Sequence, residues 1–325
     1  MSVFLGVVKD GIFKGLRTIV MLLKIVIPVY LIVAFAGYTG VYLWLAGKVE
    51  PVMRVFGLPS GAVVPILTGF FTDEYSVVAA MSQFPFTTAQ ITIIAMIILC
   101  LHGAPVESVI ARKIGLSAWK LIIFRFVMAV GTGIIVAYLA SVFIGGDAPV
   151  FSLAPDMGAA GTAAFGTSGL TLDFEWIVIL PEMGLGALKM AITITCVVIP
   201  LMIVIEVMLV FKIVHLLAKK LSPLCRLLGI GPDALLPLLV GLLLGVTYGV
   251  GALFELNRMK PLPAKDLGLV GVFLFSCHGI IETTYLFAVA GGNIIFLTAV
   301  RLLIAVAVTA TASRLFSRAG LVAGG

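Results

Sequence analysis

Charge is scarce in this 325-residue sequence: 11% of residues are charged and 62% are hydrophobic. Soluble domains carry about 25% charged and 45–50% apolar residues, so a soluble helical core is excluded and a polytopic membrane protein is implied. Cysteine is sparse too. The four, Cys100, Cys196, Cys225 and Cys277, show no CxxC spacing, and three lie inside apolar runs, which argues against a disulfide framework or a zinc knuckle. No GxxxxGK[ST] occurs, so no P-loop powers the chain. HExxH and GxSxG are also missing, which leaves a membrane hydrolase using His102 or His278 the least supported function. Finally, residues 145–188 contain no Lys or Arg but hold five acids, which places that stretch outside the cytoplasm by the positive-inside rule. The net charge of +6 sits between apolar runs, where it orients a membrane protein and does not indicate nucleic acid.

What is present is long apolar runs, at 19–46, 119–144, 191–218 and 294–313, each beyond the roughly 18 residues that cross a bilayer as helix. Ala34-Phe35-Ala36 imitates a signal cleavage site, but the apolar run continues through Leu45, so an uncleaved first span is expected. Residues 2–17 put Phe4, Val7, Val8, Ile12 and Leu16 on one face and predict an interfacial helix on the cytoplasmic side.

The sequence also repeats itself. Pro28, Pro51, Gly57, Pro65 and Gly69 recur as Pro200, Pro223, Gly229, Pro237 and Gly241, all at one constant shift of 172. The shift then becomes 176 and relates His102 to His278, Gly115 to Gly291 and Arg125 to Arg301. Glu107 and Glu282 match only if the chain slips one residue. Two copies follow, at 1–144 and 174–325, joined by an extracytoplasmic linker at 145–173. With the N-terminus inside and the linker outside, four apolar segments must make an odd number of crossings, so one segment re-enters. The segments 61–81 and 232–256, interrupted by Pro and Gly, fit that role, because non-helical backbone at depth must be buried or line a cavity. The expected fold is therefore all-α and polytopic. It has two inverted-topology repeats of three crossings plus one re-entrant hairpin, and both termini lie in the cytoplasm.

Each copy carries an ionisable run inside an apolar segment: Cys100, His102, Glu107 and Ser108 in the first, Ser276, Cys277, His278, Glu282, Thr283 and Thr284 in the second. Such groups are costly in hydrocarbon and mark pathways and sites. Counted from Asp266 at 1.5 Å per residue, His278 lies about 18 Å along a helix, near the centre of a roughly 30 Å core. Three roles are open. His102, His278, Glu107 and Glu282 suit a divalent transition metal; a His beside a buried Glu suits a coupling proton, with sodium as the other coupling ion; or the groups hydrogen-bond a neutral solute. Against all three stands a structural role, each His bonding a carbonyl or its own half's Glu across a broken helix. Arg125 and Arg301 suit snorkelling to the headgroups as well as pairing with Glu107 or Glu282. Asp73 and Glu74 fall at the tip of the first re-entrant hairpin or in a solvated loop. Tyr248, Asn257 and Thr68 are further candidates to line the site, and Glu206 is expected to face inward with Lys24 as its partner.

Gly57-Leu58-Pro59 through Pro65 and Gly69, then Leu101-His-Gly-Ala-Pro-Val-Glu107, and in the second copy Cys277-His-Gly-Ile-Ile-Glu-Thr283, resemble the Gate, or nucleoside-recognition, family of bacterial membrane proteins. The resemblance covers nearly the whole chain as two tandem units. Related units form spore-maturation membrane proteins and the membrane part of bacterial ferrous-iron transporters, and the group more distantly resembles concentrative nucleoside transporters. The first copy departs from the His-x-x-x-Glu-Thr pattern by one extra residue and Ser108. The resemblance implies a transporter of a small polar or ionic solute, a nucleoside-like compound or a divalent metal, working as a homo-oligomer among membrane lipids. It equally allows a non-transporting scaffold or regulatory subunit bound to a partner membrane protein.

Overall fold

The computed structural model describes residues 2–38, 41–112, 117–144, 149–151 and 176–318. Among these, almost everything is helix. The first half holds α1 (Ser2–Tyr38), α2 (Val41–Val55), α3 (Val63–Phe71), α4 (Glu74–Met81), α5 (Thr88–Leu101), α6 (Ala104–Ala111) and α7 (Ala118–Phe143). The second holds α8 (Trp176–Val210), α9 (Ile213–Lys220), α10 (Ser222–Leu228), α11 (Leu235–Leu244), α12 (Val246–Met259), α13 (Ala264–Ser276), α14 (Ile280–Val289) and α15 (Ile294–Arg318). A two-stranded antiparallel ribbon pairs Phe86 with Phe151.

The repeat read from scattered Pro and Gly extends to element boundaries. The short 3-10 turns begin at Ser60 and Pro232, α3 and α11 at Val63 and Leu235, and α4 and α12 at Glu74 and Val246, all related by the first shift. The second shift relates the starts of α5, α6 and α7 (Thr88, Ala104 and Ala118) to those of α13, α14 and α15 (Ala264, Ile280 and Ile294).

Among the described residues, six helical segments are long and apolar enough to cross a membrane, three in each half: Phe4–Ala36, Thr88–Val109, Ala118–Phe143, Ile179–Val210, Ala264–Val289 and Ile294–Phe316. Two further pairs, Lys48–Val55 with Ser60–Phe71 and Ser222–Leu228 with Pro232–Leu244, bend by 89° and 110°. The segments containing α5 and α13 are 72% and 61% buried, against at most 39% for the other four. They are thus the inner pair, and residues such as Trp119, Phe126 and Leu303 on the flanking helices are left exposed, as a lipid-facing surface requires. Close approach at glycine brings the hairpins against the inner helices: Gly69 lies against Ile98 and Val77, and Gly241 against Leu274 and Gly249.

The longest helices, α1 and α8, are counterparts in the repeat and pack antiparallel. Gly11 meets Ile203, Gly15 meets Ile199 and Gly186 meets Tyr30. This corrects two expectations. No separate interfacial helix spans 2–17, because α1 runs unbroken from Ser2 to Tyr38 and its first turns dock on α8 through Gly11 and Gly15. The apolar run at 191–218 is not one span either; α8 begins at Trp176 and ends at Val210, where the left-handed Lys212 (φ 51°) breaks the helix. Of the expected linker at 145–173, residues 145–148 and 152–173 lie outside the described residues.

Candidate functional site

The site grows from two helix breaks. α5 ends at Leu101 and α13 at Ser276, and the chain re-enters helix after Gly103 (φ 54°) and Gly279 (φ 55°). A left-handed turn of this kind is natural for glycine and strained for L side chains. It is held at the same place in both halves, since the Gly103 amide donates to the Gly69 carbonyl at 2.8 Å and the Gly279 amide to the Gly241 carbonyl at 3.1 Å. Breaking a helix inside a bundle strands its last carbonyls, which need donors.

Those donors are the arginines and histidines. Arg125 Nη2 donates to the His102 carbonyl at 2.7 Å, and Arg301 Nη2 to the His278 carbonyl at 2.8 Å. His102 Nδ1 lies 3.0 Å from the Ile98 carbonyl and His278 Nδ1 2.7 Å from the Leu274 carbonyl. A carbonyl only accepts, so both rings carry their proton on Nδ1. The structural role weighed against function is therefore filled by Nδ1 alone, and Nε2 is left over. Both arginines are buried (0% and 2% exposed), which overturns snorkelling.

The left-over nitrogens meet. His102 Nε2 and His278 Nε2 stand 3.3 Å apart, and Glu107 Oε1 lies 3.5 Å from each. Glu107 is fixed there because its other oxygen accepts from Arg125 Nη1 at 2.6 Å. Glu74 enters from the start of α4 with Oε2 3.5 Å from His102 Nε2, while Asp73 caps that helix by accepting from the Ser76 amide. Asp73 and Glu74 thus sit half-buried at the start of a helix that faces the cluster, not in a solvated loop.

The second half fills the same frame differently. Glu282 was expected to mirror Glu107, but the shift that superposes the two histidines carries Glu107 onto Thr283, and Thr283 takes the equivalent bond: Arg301 Nη1 donates to Thr283 Oγ1 at 2.8 Å and Thr284 Oγ1 at 3.1 Å. One residue earlier on α14, Glu282 points elsewhere and accepts from Tyr75 Oη at 2.6 Å. Tyr75 is the functional residue that sequence reasoning missed. An aromatic in an apolar run looks like core, and its one signal was adjacency to Asp73 and Glu74 at a helix break.

Other candidates stand apart from this cluster. Tyr248 is 57% exposed. Asn257 Oδ1 accepts from the Leu262 amide and closes the end of α12. Thr68 is half-buried, and its carbonyl accepts from the Thr72 amide and hydroxyl. Glu206 is buried as expected, but its partner is Lys14 at 2.6 Å; Lys24 is exposed, because the antiparallel α1–α8 register brings Lys14 opposite Glu206.

Comparison with known proteins reaches the first half by family and nearly the whole chain by one relative. The Gate family model, described as nucleoside recognition, matches residues 19–120, which lie in the first half. The chain is also similar to the uncharacterized membrane protein YvoD of Bacillus subtilis (strain 168), with 27% identity over 305 residues, which is 92% of this chain and 91% of that protein. No solved structure matches the chain.

Proposed function

We propose that this membrane protein, whose first half matches the Gate family model, is a secondary-active transporter that moves a small polar or ionic solute past the His102–His278 pair. One observation carries the reading: ionisable side chains from both halves converge on a single buried point. Buried charge is expensive in a membrane protein and is kept where a solute or ion must be met. The antiparallel packing of the equivalent helices α1 and α8 supports an inverted relation between the units 1–144 and 174–325. The bent pairs support a re-entrant hairpin in each. That architecture puts a solute site between the copies near the midplane. The reading includes a bacterial cytoplasmic membrane, termini on the cytoplasmic side, a homo-oligomer, a proton or sodium as coupling ion, and no covalent catalysis. Nucleosides enter as one solute class through the description of the Gate family.

The test is thermal stabilisation of the detergent-solubilised protein by nucleosides, nucleobases, organic anions and divalent metals. A ligand at about 100 times its dissociation constant stabilises by roughly 2.7 kcal/mol. The expected result is a shift for one class that disappears in a His278→Ala, Glu282→Gln variant. No shift for any class, together with constant copurification of another membrane protein, would replace transport by a scaffold role.

A further inference from the structure

The polar atoms at the centre of the site are all acceptors. With Nδ1–H committed to the Ile98 and Leu274 carbonyls, each neutral ring turns a bare Nε2 lone pair toward the other across 3.3 Å. Glu107 Oε1 completes a triangle with sides 3.3, 3.5 and 3.5 Å. These three atoms offer no donor to one another, so the arrangement is repulsive unless a cation sits inside.

We infer that a divalent first-row transition-metal ion binds there, held by His102 Nε2, His278 Nε2 and Glu107 Oε1, with Glu74 Oε2 close by on the His102 side. The size fits. A point equidistant from the first three atoms lies about 2.0 Å from each, the length of a zinc–imidazole or zinc–carboxylate bond. Ligands at about 2.0–2.2 Å in a tetrahedron are separated by roughly 3.3–3.6 Å, which brackets the three separations of 3.3 to 3.5 Å and leaves the fourth position for a solvent molecule or another ligand.

The chemistry fits as well. Two imidazoles with a carboxylate suit zinc, iron, cobalt or manganese, whereas calcium and magnesium require oxygen ligands alone. Both imidazoles donate Nδ1–H to a backbone carbonyl and Glu107 is braced by Arg125, the outer contacts that orient metal ligands.

Two ligands, His102 and Glu107, belong to the first half and one, His278, to the second. Separation of the halves would strip one ligand and loosen the ion, a release step suited to cargo; that the ion is cargo rests on the transport reading above.

Cobalt(II) titrated into the full-length solubilised protein tests the site, because four-coordinate cobalt absorbs visible light far more strongly than six-coordinate cobalt. The expected result is one cobalt per chain with the intense spectrum. His278→Asn keeps a donor for the Leu274 carbonyl but removes the ligand. It should weaken binding by about 100-fold or more, at or beyond the 10–100-fold that loss of an outer contact costs. His215→Asn, on the exposed face of α9, controls for adventitious binding and should leave the titration unchanged. Equal affinity in His278→Asn, a weak six-coordinate spectrum, or no binding at all would overturn the metal site; the last would mean that the histidines share a proton instead. Uptake of zinc or manganese into proteoliposomes tests the cargo reading separately. Binding without uptake upholds the site and removes transport of the ion; uptake of a nucleoside without metal binding does the reverse.

Discussion

The two halves build one frame and fill it with different chemistry. In each, an inner helix breaks before a left-handed glycine, a buried arginine covers the freed histidine carbonyl, and the histidine ring turns Nδ1 back to its own helix. Then they diverge. Arg125 meets the Glu107 carboxylate and also donates from Nε to the Cys100 carbonyl at 2.8 Å. Arg301 meets two hydroxyls, and its Nε has no partner among the described residues. The first half therefore owns a fixed anion beside the histidines, and the second owns a spare positive charge. A shared backbone with divergent side chains is what an asymmetric ligand requires of a symmetric scaffold.

The sharpest way to break this comparison is to remove each arginine in turn. Arg125→Met leaves Glu107 buried without its cation, a change that costs about 3–5 kcal/mol. Arg301→Met loses hydrogen bonds to neutral groups and should cost about 1–3 kcal/mol. Denaturant midpoints of the two variants in the same detergent measure the difference. Equal losses would mean that the Glu107 ion pair is not what distinguishes the halves.

The frame was legible in the sequence and the filling was not, for a physical reason. Backbone breaks leave marks on residue type, since a left-handed turn takes glycine and a kink takes proline, so Gly69, His102 and Arg125 could be aligned with Gly241, His278 and Arg301 by shift alone. Side-chain partners depend on which face of a short helix a residue occupies, and one residue on a helix is a turn of about 100°. That is why Glu282 looked like the mate of Glu107 when Thr283 holds the equivalent place. Glu74 and Tyr75 were harder still. Their partners, His102 and Glu282, are set by how α4 folds back toward the inner helices, and no local pattern encodes that.

Tyr75 sharpens the comparison next, because it joins the halves: α4 of the first donates to Glu282 of the second at 2.6 Å. Its counterpart in the repeat is Thr247, so the reverse half has no such phenol. Tyr75→Phe removes one hydrogen bond and leaves a buried carboxyl oxygen without its donor, which should cost about 1–3 kcal/mol, read from the same unfolding transition. A loss near zero would show that the carboxylate finds another donor and that the bond does not hold the halves together.

Where the frame is shared, the costs should be shared. Gly103→Ala and Gly279→Ala each force a methyl group into left-handed backbone, at about 1–2 kcal/mol. Local crowding is similar, with the nearest atom to an added Cβ at 3.4 Å (the Thr72 carbonyl) and 3.5 Å (Thr283 Cγ2), so the two variants should agree. Losses that differ as widely as the arginine pair would mean that the backbone frame itself is asymmetric.

The smallest effect belongs to the outer helices. Lys14 and Glu206 pair at 2.6 Å where α1 crosses α8, and the repeat maps this contact onto Gly186 and Ala34, which hold no charge. At that opposite end Tyr30 packs over Gly186, so one end of the helix pair is joined by an ion pair and the other by an aromatic ring. The lysine side chain is 58% exposed, so water competes for it, and Lys14→Met should lower stability by only about 0.5–1 kcal/mol. That loss should shrink further in high salt, because an exposed pair is screened. A larger, salt-independent loss would mean that the buried Glu206 carboxylate, not the exposed lysine, sets the strength of the pair, and would make the outer helices as asymmetric as the site they enclose.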